Sequence, residues 1–468
     1  MTIWAPDVRD DGGPRYVAIA DAIARDVQSG VLAEGTKLPT HRQLADILGV
    51  TVGTVTRGYA EAERRGLTVG EVGRGTFVRG RGEPEDFGWR DAARPAAEQG
   101  VVDMSLACPW VPPDGEEGRL LGRTLEEIAR TRGIDELMEY HPATAPMRHR
   151  AIAAEWVGTL GVSVSPEQIV VTAGAQHALT VILATLLRPG DTLMTAELTY
   201  PGLKAVAQML GLELRGVAMD EEGIVPAALD AACTEVAARA LYCVPTIQNP
   251  TSATMSDQRR ADVADVARKH GLIVVEDEIH VAPDPERPAP LASFAPERTL
   301  HVTTLCKWAT FGLRVGFIAA PERVVERLRS GVRSSLWMPP PLMTEIATRW
   351  IADGTADRLG RRKLEELAAR HALTREVFGG RFEVQTHPRS LHLWVRLPDP
   401  LRNDECVAQA RQRGVRVAGA EAFAVGRDVP HAVRVSIAAE PDREELRRAL
   451  EILAEILGGN SDPYVQIL

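Results

Sequence analysis

Apolar positions in the first eighty residues recur at helical spacing. Ile19, Ile23 and Val27, with Tyr16 a turn earlier, make one stripe and predict a helix ending near Gly30. Thr40 and Gln43 form a T-x-x-Q capping box ahead of Leu44 and Leu48, and Gly49 is placed to end that second helix. After a short turn Thr51 caps a third helix, with Val55, Tyr59 and Ala62 inward and Thr54, Arg57 and Arg64 outward until Gly66. Residues 67–69 and 76–78 then flank the glycine-rich tip Gly70-Glu71-Val72-Gly73-Arg74-Gly75, a hairpin. Two helices across a tight turn followed by a hairpin predict a winged helix-turn-helix whose third helix is available to a DNA major groove.

From 79 to 100 the apolar period disappears and Gly, Pro, Arg and Glu dominate, which marks a linker. Beyond it, short apolar runs at 168–172, 191–196, 241–245, 272–276, 300–305 and 315–320 alternate with helical patterns. Continuous apolar runs separated by helices predict a parallel sheet covered on both faces. The expected organisation is a DNA-binding head at 12–80, a linker at 81–100 and an α/β body at 101–468.

Composition narrows the class. At 468 residues, 45% hydrophobic and 25% charged, the chain has apolar material for two or three cores. No run approaches the roughly 18 apolar residues of a membrane span, and the start Met1-Thr2-Ile3-Trp4 lacks a basic and then apolar leader. The expectation is a cytoplasmic protein without a membrane partner, at the nucleoid when bound to DNA. Cys108, Cys233, Cys243, Cys306 and Cys406 stand singly without C-x-x-C spacing, so reduced thiols and no metal site are expected. The net charge of −10 argues against nucleic acid, yet residues 14–82 hold ten Lys and Arg against seven Asp and Glu, a balance of +3.

Ligands of such sheets gather at the carboxyl ends of the strands. Asp277 and His280 follow the run ending at Glu276, Asn249 follows Pro245, Gly174-Ala175-Gln176 follows Thr172, and Lys307 follows Leu305. A lysine amine condenses with the aldehyde of pyridoxal 5'-phosphate, and a carboxylate such as Asp277 keeps the pyridine nitrogen protonated. The free N–H groups of Gly174, Ala175 and Gln176 at a helix start suit a phosphate, with Thr304 and Arg314 supplying a hydroxyl and a fork. Asn249 donates to the ring oxygen and Tyr200 stacks on the ring face. Singly, each has an ordinary reading as a surface lysine, a helix cap or an ion pair; the set points to the cofactor.

The segment LPTHRQLADILGVTVGTVTRGYAEAERRGLTVGEVGRGTFV closely resembles the winged-helix head of the GntR family. The resemblance implies that Arg42, Thr51, Thr54, Arg57, Arg74 and Gly75 lie at the DNA surface. Thr51-Val52 stands where that family often has Ser-Arg, which removes a common phosphate contact. Residues 101–468 resemble the fold-type I aminotransferases through QNPTSATMS, VVEDEIH and TTLCKWATFGLRVGFIAAP, in order and spacing. That likeness implies an α/β pyridoxal-phosphate-dependent transferase fold with a smaller α+β C-terminal subdomain. It also implies a head-to-tail homodimer, Arg434 on the α-carboxylate of an amino compound, and Tyr140 on the cofactor phosphate of the opposite subunit. His280 replaces a usual tyrosine, with an imidazole whose charge is expected to vary near pH 7. Ser252 and Ala145 replace usual glycines. These departures leave cofactor binding expected, but not fast transamination.

End to end the chain is similar to the MocR/GabR group of transcription factors. The expected function is a regulator that binds double-stranded operator DNA and senses pyridoxal phosphate, an amino-compound effector, or both, through the Lys307 Schiff base. The alternatives are an active aminotransferase with an appended head, and a regulator that senses the cofactor alone.

Overall fold

The computed structural model describes residues 4, 6, 15–29, 31–33, 35–64, 67–71, 75–78, 101–131, 134–140, 145–281, 283–284, 286–426, 428–440 and 442–459. The chain divides into two compact units, Met1–Asp86 and Phe87–Leu468.

In the first unit, helices α1 (Arg15–Gln28), α2 (His41–Leu48) and α3 (Val52–Arg64) precede a hairpin of β1 (Thr68–Glu71) and β2 (Gly75–Val78). The capping box forms as expected: Thr40 N donates to Gln43 Oε1 at 3.0 Å, and Gln43 N donates back to Thr40 Oγ1 at 3.4 Å. Gly49 ends α2 in the left-handed region at φ 62°, where a Cβ is strained. Ile19, Ile23, Leu44, Val55, Tyr59 and Ala62 close one core. Gly58 lets α3 press on α1, since a Cβ there would lie 2.9 Å from Ile19. The buried Tyr59 hydroxyl donates to Pro39 O at 2.8 Å and ties α3 to the α2 entrance.

The second unit is built on a seven-stranded sheet. After the short strand β3 (Val102–Asp103), its strands in chain order are β4 (Ile169–Thr172), β5 (Thr192–Ala196), β6 (Glu213–Val217), β7 (Ala238–Cys243), β8 (Ile273–Asp277), β9 (Thr299–Thr304) and β10 (Gly316–Ala319). They lie in the order β4-β10-β9-β8-β7-β5-β6. The expectation of an all-parallel sheet needs correction: β10 runs antiparallel to both β9 and β4, while the other pairs are parallel. Its apolar run is the same for either direction, because burial on both faces dictates composition and not polarity. Alternate residues of the strands feed two cores: Val171, Phe317 and Ala319 enter one, Val170, Val302 and Ile318 the other.

A second, four-stranded antiparallel sheet forms the smaller C-terminal part. It comprises β11 (Val384–Gln385), β12 (His392–Arg396), β13 (Ala418–Gly419) and β14 (Ala432–Ser436), ordered β11-β12-β14-β13. Leu393, Val395, Val433 and Val435 enter its core, so the period of two turns His392, Trp394, Arg434 and Ser436 to the opposite face, where Trp394 pairs Arg434 and His392 pairs Ser436.

Candidate functional site

Strand ends and the helix that follows β4 assemble the expected groups. Gly174 has φ 85° and precedes the helix α4 (Ala175–Leu186), which has no side-chain cap. A Cβ on Gly174 would stand 3.2 Å from Arg314 Nη2, so the guanidinium lies over the free N–H end of α4. Arg314 is exposed, packs 5.0 Å from the Phe311 ring centroid, and has no carboxylate partner among the described residues. A bare glycine, helix N–H groups and a fork that meets only Cys306 Sγ, at 3.8 Å, make a cradle that fits a phosphate and that a side chain at 174 would crowd. The Gln176 side chain is turned elsewhere, accepting from Tyr200 Oη at 3.1 Å and donating to Gly202 O at 3.0 Å. Burial, followed by the nearby Asp277 charge, pushes the Tyr200 phenol up to about 12.

Asp277 ends β8 with 1% exposure. Its Oδ2 accepts from Tyr242 Oη at 2.7 Å and its Oδ1 from Ile279 N at 3.3 Å. No cation pairs with it among the described residues, and burial raises its pKa from 3.8 to about 6. A buried carboxylate short of positive charge fits a protonated pyridine nitrogen. Across the site Lys307 follows β9, its ammonium donating to Ala107 O and standing 5.5 Å from the Phe311 ring centroid. Burial lowers its pKa, which favours the nucleophilic amine.

Thr304 departs from expectation. Its hydroxyl donates to Val315 O at 2.6 Å and accepts from Cys306 N at 3.1 Å, so it shapes the turn that presents Lys307 instead of facing a phosphate. The imidazole of His280 also differs from expectation: burial first, then Lys307 and Arg434, push its pKa down to about 3, so it stays neutral near pH 7. Its Nδ1 is buried without a hydrogen-bond partner.

Arg434 is buried and donates from Nη1 to Asn249 Oδ1 at 2.8 Å and from Nη2 to Ser105 O. This leaves the Asn249 amide nitrogen as its donor toward the site. The Arg434 guanidinium lies 4.7 Å from the Phe423 ring centroid, and burial lowers its pKa to about 10. Among the described residues no carboxylate neutralises it, the condition of a cation waiting for an anion. Tyr140 is 58% exposed and packs against Trp337, itself 56% exposed, with centroids 5.4 Å apart.

Sequence reasoning missed His392 and the strap from Ser105 to Trp110, and marked Ser252 only as a departure from a usual glycine. His392 is fully buried and edge-on to His280 at 5.8 Å between centroids. Ser252, at φ 64°, shares a 2.8 Å hydrogen bond with Ser390, tying the large part of the unit to the smaller one. The strap from Ser105 to Trp110 holds the carbonyls facing Arg434 and Lys307. Only strand pairing reveals His392, which sits opposite Ser436 on the neighbour of the Arg434 strand.

In the first unit Arg42, Thr51 and Arg57 are exposed and Thr54 is half-buried. Thr51 Oγ1 accepts from Thr54 N at 3.2 Å, capping α3. The Arg57 guanidinium carbon is 5.6 Å from the Tyr16 ring centroid. Gly75 starts β2 at φ 118°, and a Cβ there would meet the Lys37 side chain at 2.9 Å, which places Lys37 beside the wing, unforeseen in the sequence. Arg74 and the linker lie outside the described residues, as does the Arg64 side chain.

Residues 15–78 match the family described as bacterial regulatory proteins, gntR family, and residues 113–453 match aminotransferase class I and II. The HTH-type transcriptional regulator YdeF of Bacillus subtilis is 31% identical over 456 residues, covering 97% of this chain and 96% of that protein. The HTH-type pyridoxine biosynthesis transcriptional regulator PdxR of Corynebacterium glutamicum is 26% identical over 85% of this chain and 86% of its own length. The kynurenine aminotransferase of Pyrococcus horikoshii, solved in complex with PMP, superposes with a TM-score of 0.73 at 20% identity, over 80% of this chain and 95% of that one; this likeness establishes the fold of the second unit. With a gntR head and a class I and II aminotransferase body matched in one chain, and 96% of the length of YdeF covered, the protein belongs to the MocR-type HTH transcriptional regulators.

Proposed function

We propose that the protein regulates transcription by binding operator DNA, that its body holds pyridoxal 5'-phosphate at Lys307, and that an amino compound reaching this site changes its affinity for DNA. Asp277 is the observation that carries the cofactor reading: a buried carboxylate at a strand end, hydrogen-bonded but without a cation, is costly unless a positive group meets it. Lys307 would take the cofactor's carbonyl, the α4 N–H groups and Arg314 its phosphate, Asn249 and neutral His280 its ring oxygen, and Tyr200 its ring face. Bound there, the cofactor supplies an electrophilic carbonyl and an electron-withdrawing ring.

The chain's own residues do the rest. Arg434, oriented by Asn249, binds a carboxylate; Asp277 holds the proton on the pyridine nitrogen; His280 donates a hydrogen bond without adding charge. In the head, exposed Arg42, Arg57 and Thr51, with Arg74, Gly75 and Thr54, would meet double-stranded DNA. The reading takes 12–80 as head, 81–100 as linker and 101–468 as body, in a cytoplasmic head-to-tail homodimer, with the exposed Tyr140 reaching the partner's cofactor phosphate. Effector and DNA are then linked, with typical couplings of ~1–3 kcal/mol.

The test is an absorption titration with pyridoxal phosphate, wild type against Lys307→Ala, repeated alongside mobility shifts on DNA from the upstream region of the protein's own gene. A Lys307-dependent band that moves with the DNA-binding curve supports the reading, and operator binding indifferent to cofactor, amines and Lys307→Ala overturns it. The intact Arg434–Asn249 bond favours a second reading, an active aminotransferase, for which conversion to the pyridoxamine form by an amino donor is the sign.

A further inference from the structure

We propose that the effector is a monocarboxylic amino compound with an uncharged, apolar side chain, and that this side chain enters a cleft walled by Trp110 and Trp308. The inference rests on the amine-responsive reading above and gives the ligand its chemical class.

The strap orders the site. Ser105 O faces Arg434, Ala107 O faces Lys307, and Pro109 and Trp110 line the cleft. The chain bends at Ser105 and Leu106 and Cys108 N donates to Leu106 O at 2.9 Å, so the carbonyls facing Arg434 and Lys307 and the cleft wall follow one another within one short turn. The cleft shares Lys307 and His280 with the cofactor site while Arg434 lies outside its lining. One molecule held at Arg434 and Lys307 therefore extends its remaining part into it.

The walls select against charge. The Trp308 indole lies on Gly360, where any Cβ would fall within the ring, and Leu364, Leu367 and Leu391 continue the apolar surface. Three further cations line the cleft, and each already has its carboxylate. Lys363 pairs with Glu117 at 2.7 Å, Arg370 with Glu366 at 2.7 Å, and Arg389 with Asp284 at 2.9 Å. A second carboxylate on the effector would lose its water without gaining a counter-charge. An apolar side chain gains burial.

The experiment uses the full-length chain loaded with pyridoxal phosphate, titrated with L-phenylalanine, L-alanine and L-glutamate, reading cofactor absorbance and operator mobility shift. Phenylalanine is expected to bind at least ~10-fold tighter than alanine and on the order of 100-fold tighter than glutamate. Leu364→Glu, at a partly buried wall position, is expected to weaken phenylalanine at least ~10-fold with pyridoxal phosphate affinity retained. Leu364→Ala, which cannot fail to fold through a buried charge, is expected to weaken it by a few-fold. Glutamate equal to or tighter than phenylalanine overturns the proposal, as does phenylalanine binding indifferent to both variants. If no amine moves the absorbance, the amine-responsive reading falls and this inference with it; if amines move it without preference, this inference alone falls.

Discussion

In the proposed reading Asp277 meets opposite demands with and without the cofactor. In the cofactor-free chain its carboxyl titrates at about 6 in place of 3.8, because burial disfavours the anion. A raised folded-state value means stability that is fully present below about pH 4 and is lost as pH rises through about 6. At ~1.4 kcal/mol per tenfold change in proton affinity, the ionised form costs the fold about 3 kcal/mol at pH 7. Asp277→Asn keeps an acceptor for Tyr242 and removes the charge. The cofactor-free variant is therefore expected to melt higher than wild type at pH 7 and to match it near pH 4, while binding pyridoxal phosphate at least ~10-fold more weakly. Thermal melts across pH, set beside a cofactor titration, check both halves. A variant less stable than wild type at both pH values would mean that the carboxylate serves the fold and not the ligand. The neighbouring His280 follows the converse rule: a lowered pKa keeps it uncharged, so the tyrosine-to-histidine departure does not bring a pH switch into the site.

At the scale of elements, the helix α5 (Thr355–Phe378) carries Gly360 within its length, where glycine costs about 0.5–1 kcal/mol against alanine. The compensation is the seat of Trp308, next in sequence to Lys307. Gly360→Ala is expected to lose more to the displaced indole than it gains in helix propensity, a net destabilisation of about 1–3 kcal/mol, with weakened cofactor binding. Melting temperature and the pyridoxal phosphate dissociation constant measure the two, and an unchanged dissociation constant would detach Trp308 from the placement of Lys307. Nothing local signals this contact, because an α5 residue meets a loop some fifty positions earlier. The same limit explains what the sequence hid. The helix-turn-helix was legible because caps and apolar spacing act within a few residues, and so were the strand ends bearing Asp277, Asn249 and Lys307. Strand β6 was not: Glu213–Val217 alternates exposed and half-buried positions at a sheet edge, without the continuous apolar run that marks its neighbours. The reversed direction of β10 and the His280–His392 pair depend on which strands become neighbours, and composition carries no record of that.

For the whole molecule, the proposed reading places two ligands of different kinds on one chain, with a basic head and an acidic body. Residues 14–82 carry +3 within a total of −10, so DNA contact must come from a few placed cations and not from overall charge. If an amine alters operator affinity by some factor, operator DNA must alter amine affinity by that same factor, because both paths close one thermodynamic cycle. This reciprocity separates a coupled regulator from an enzyme that merely carries a head. The amine dissociation constant, read from cofactor absorbance, is therefore expected to shift on saturation with operator by the ratio found in mobility shifts, 5- to 150-fold for ~1–3 kcal/mol of coupling. DNA of scrambled sequence is expected to leave it unchanged. Arg42→Ala is expected to weaken operator binding and lower the slope of log affinity against log salt by about 1, while the amine constant without DNA stays as in wild type. An amine constant that ignores operator, in a protein whose DNA affinity does respond to amine, would break the cycle and show that the two measurements follow different species. An amine constant and a DNA affinity that both ignore the other ligand would place the chemistry of Lys307 in the body alone.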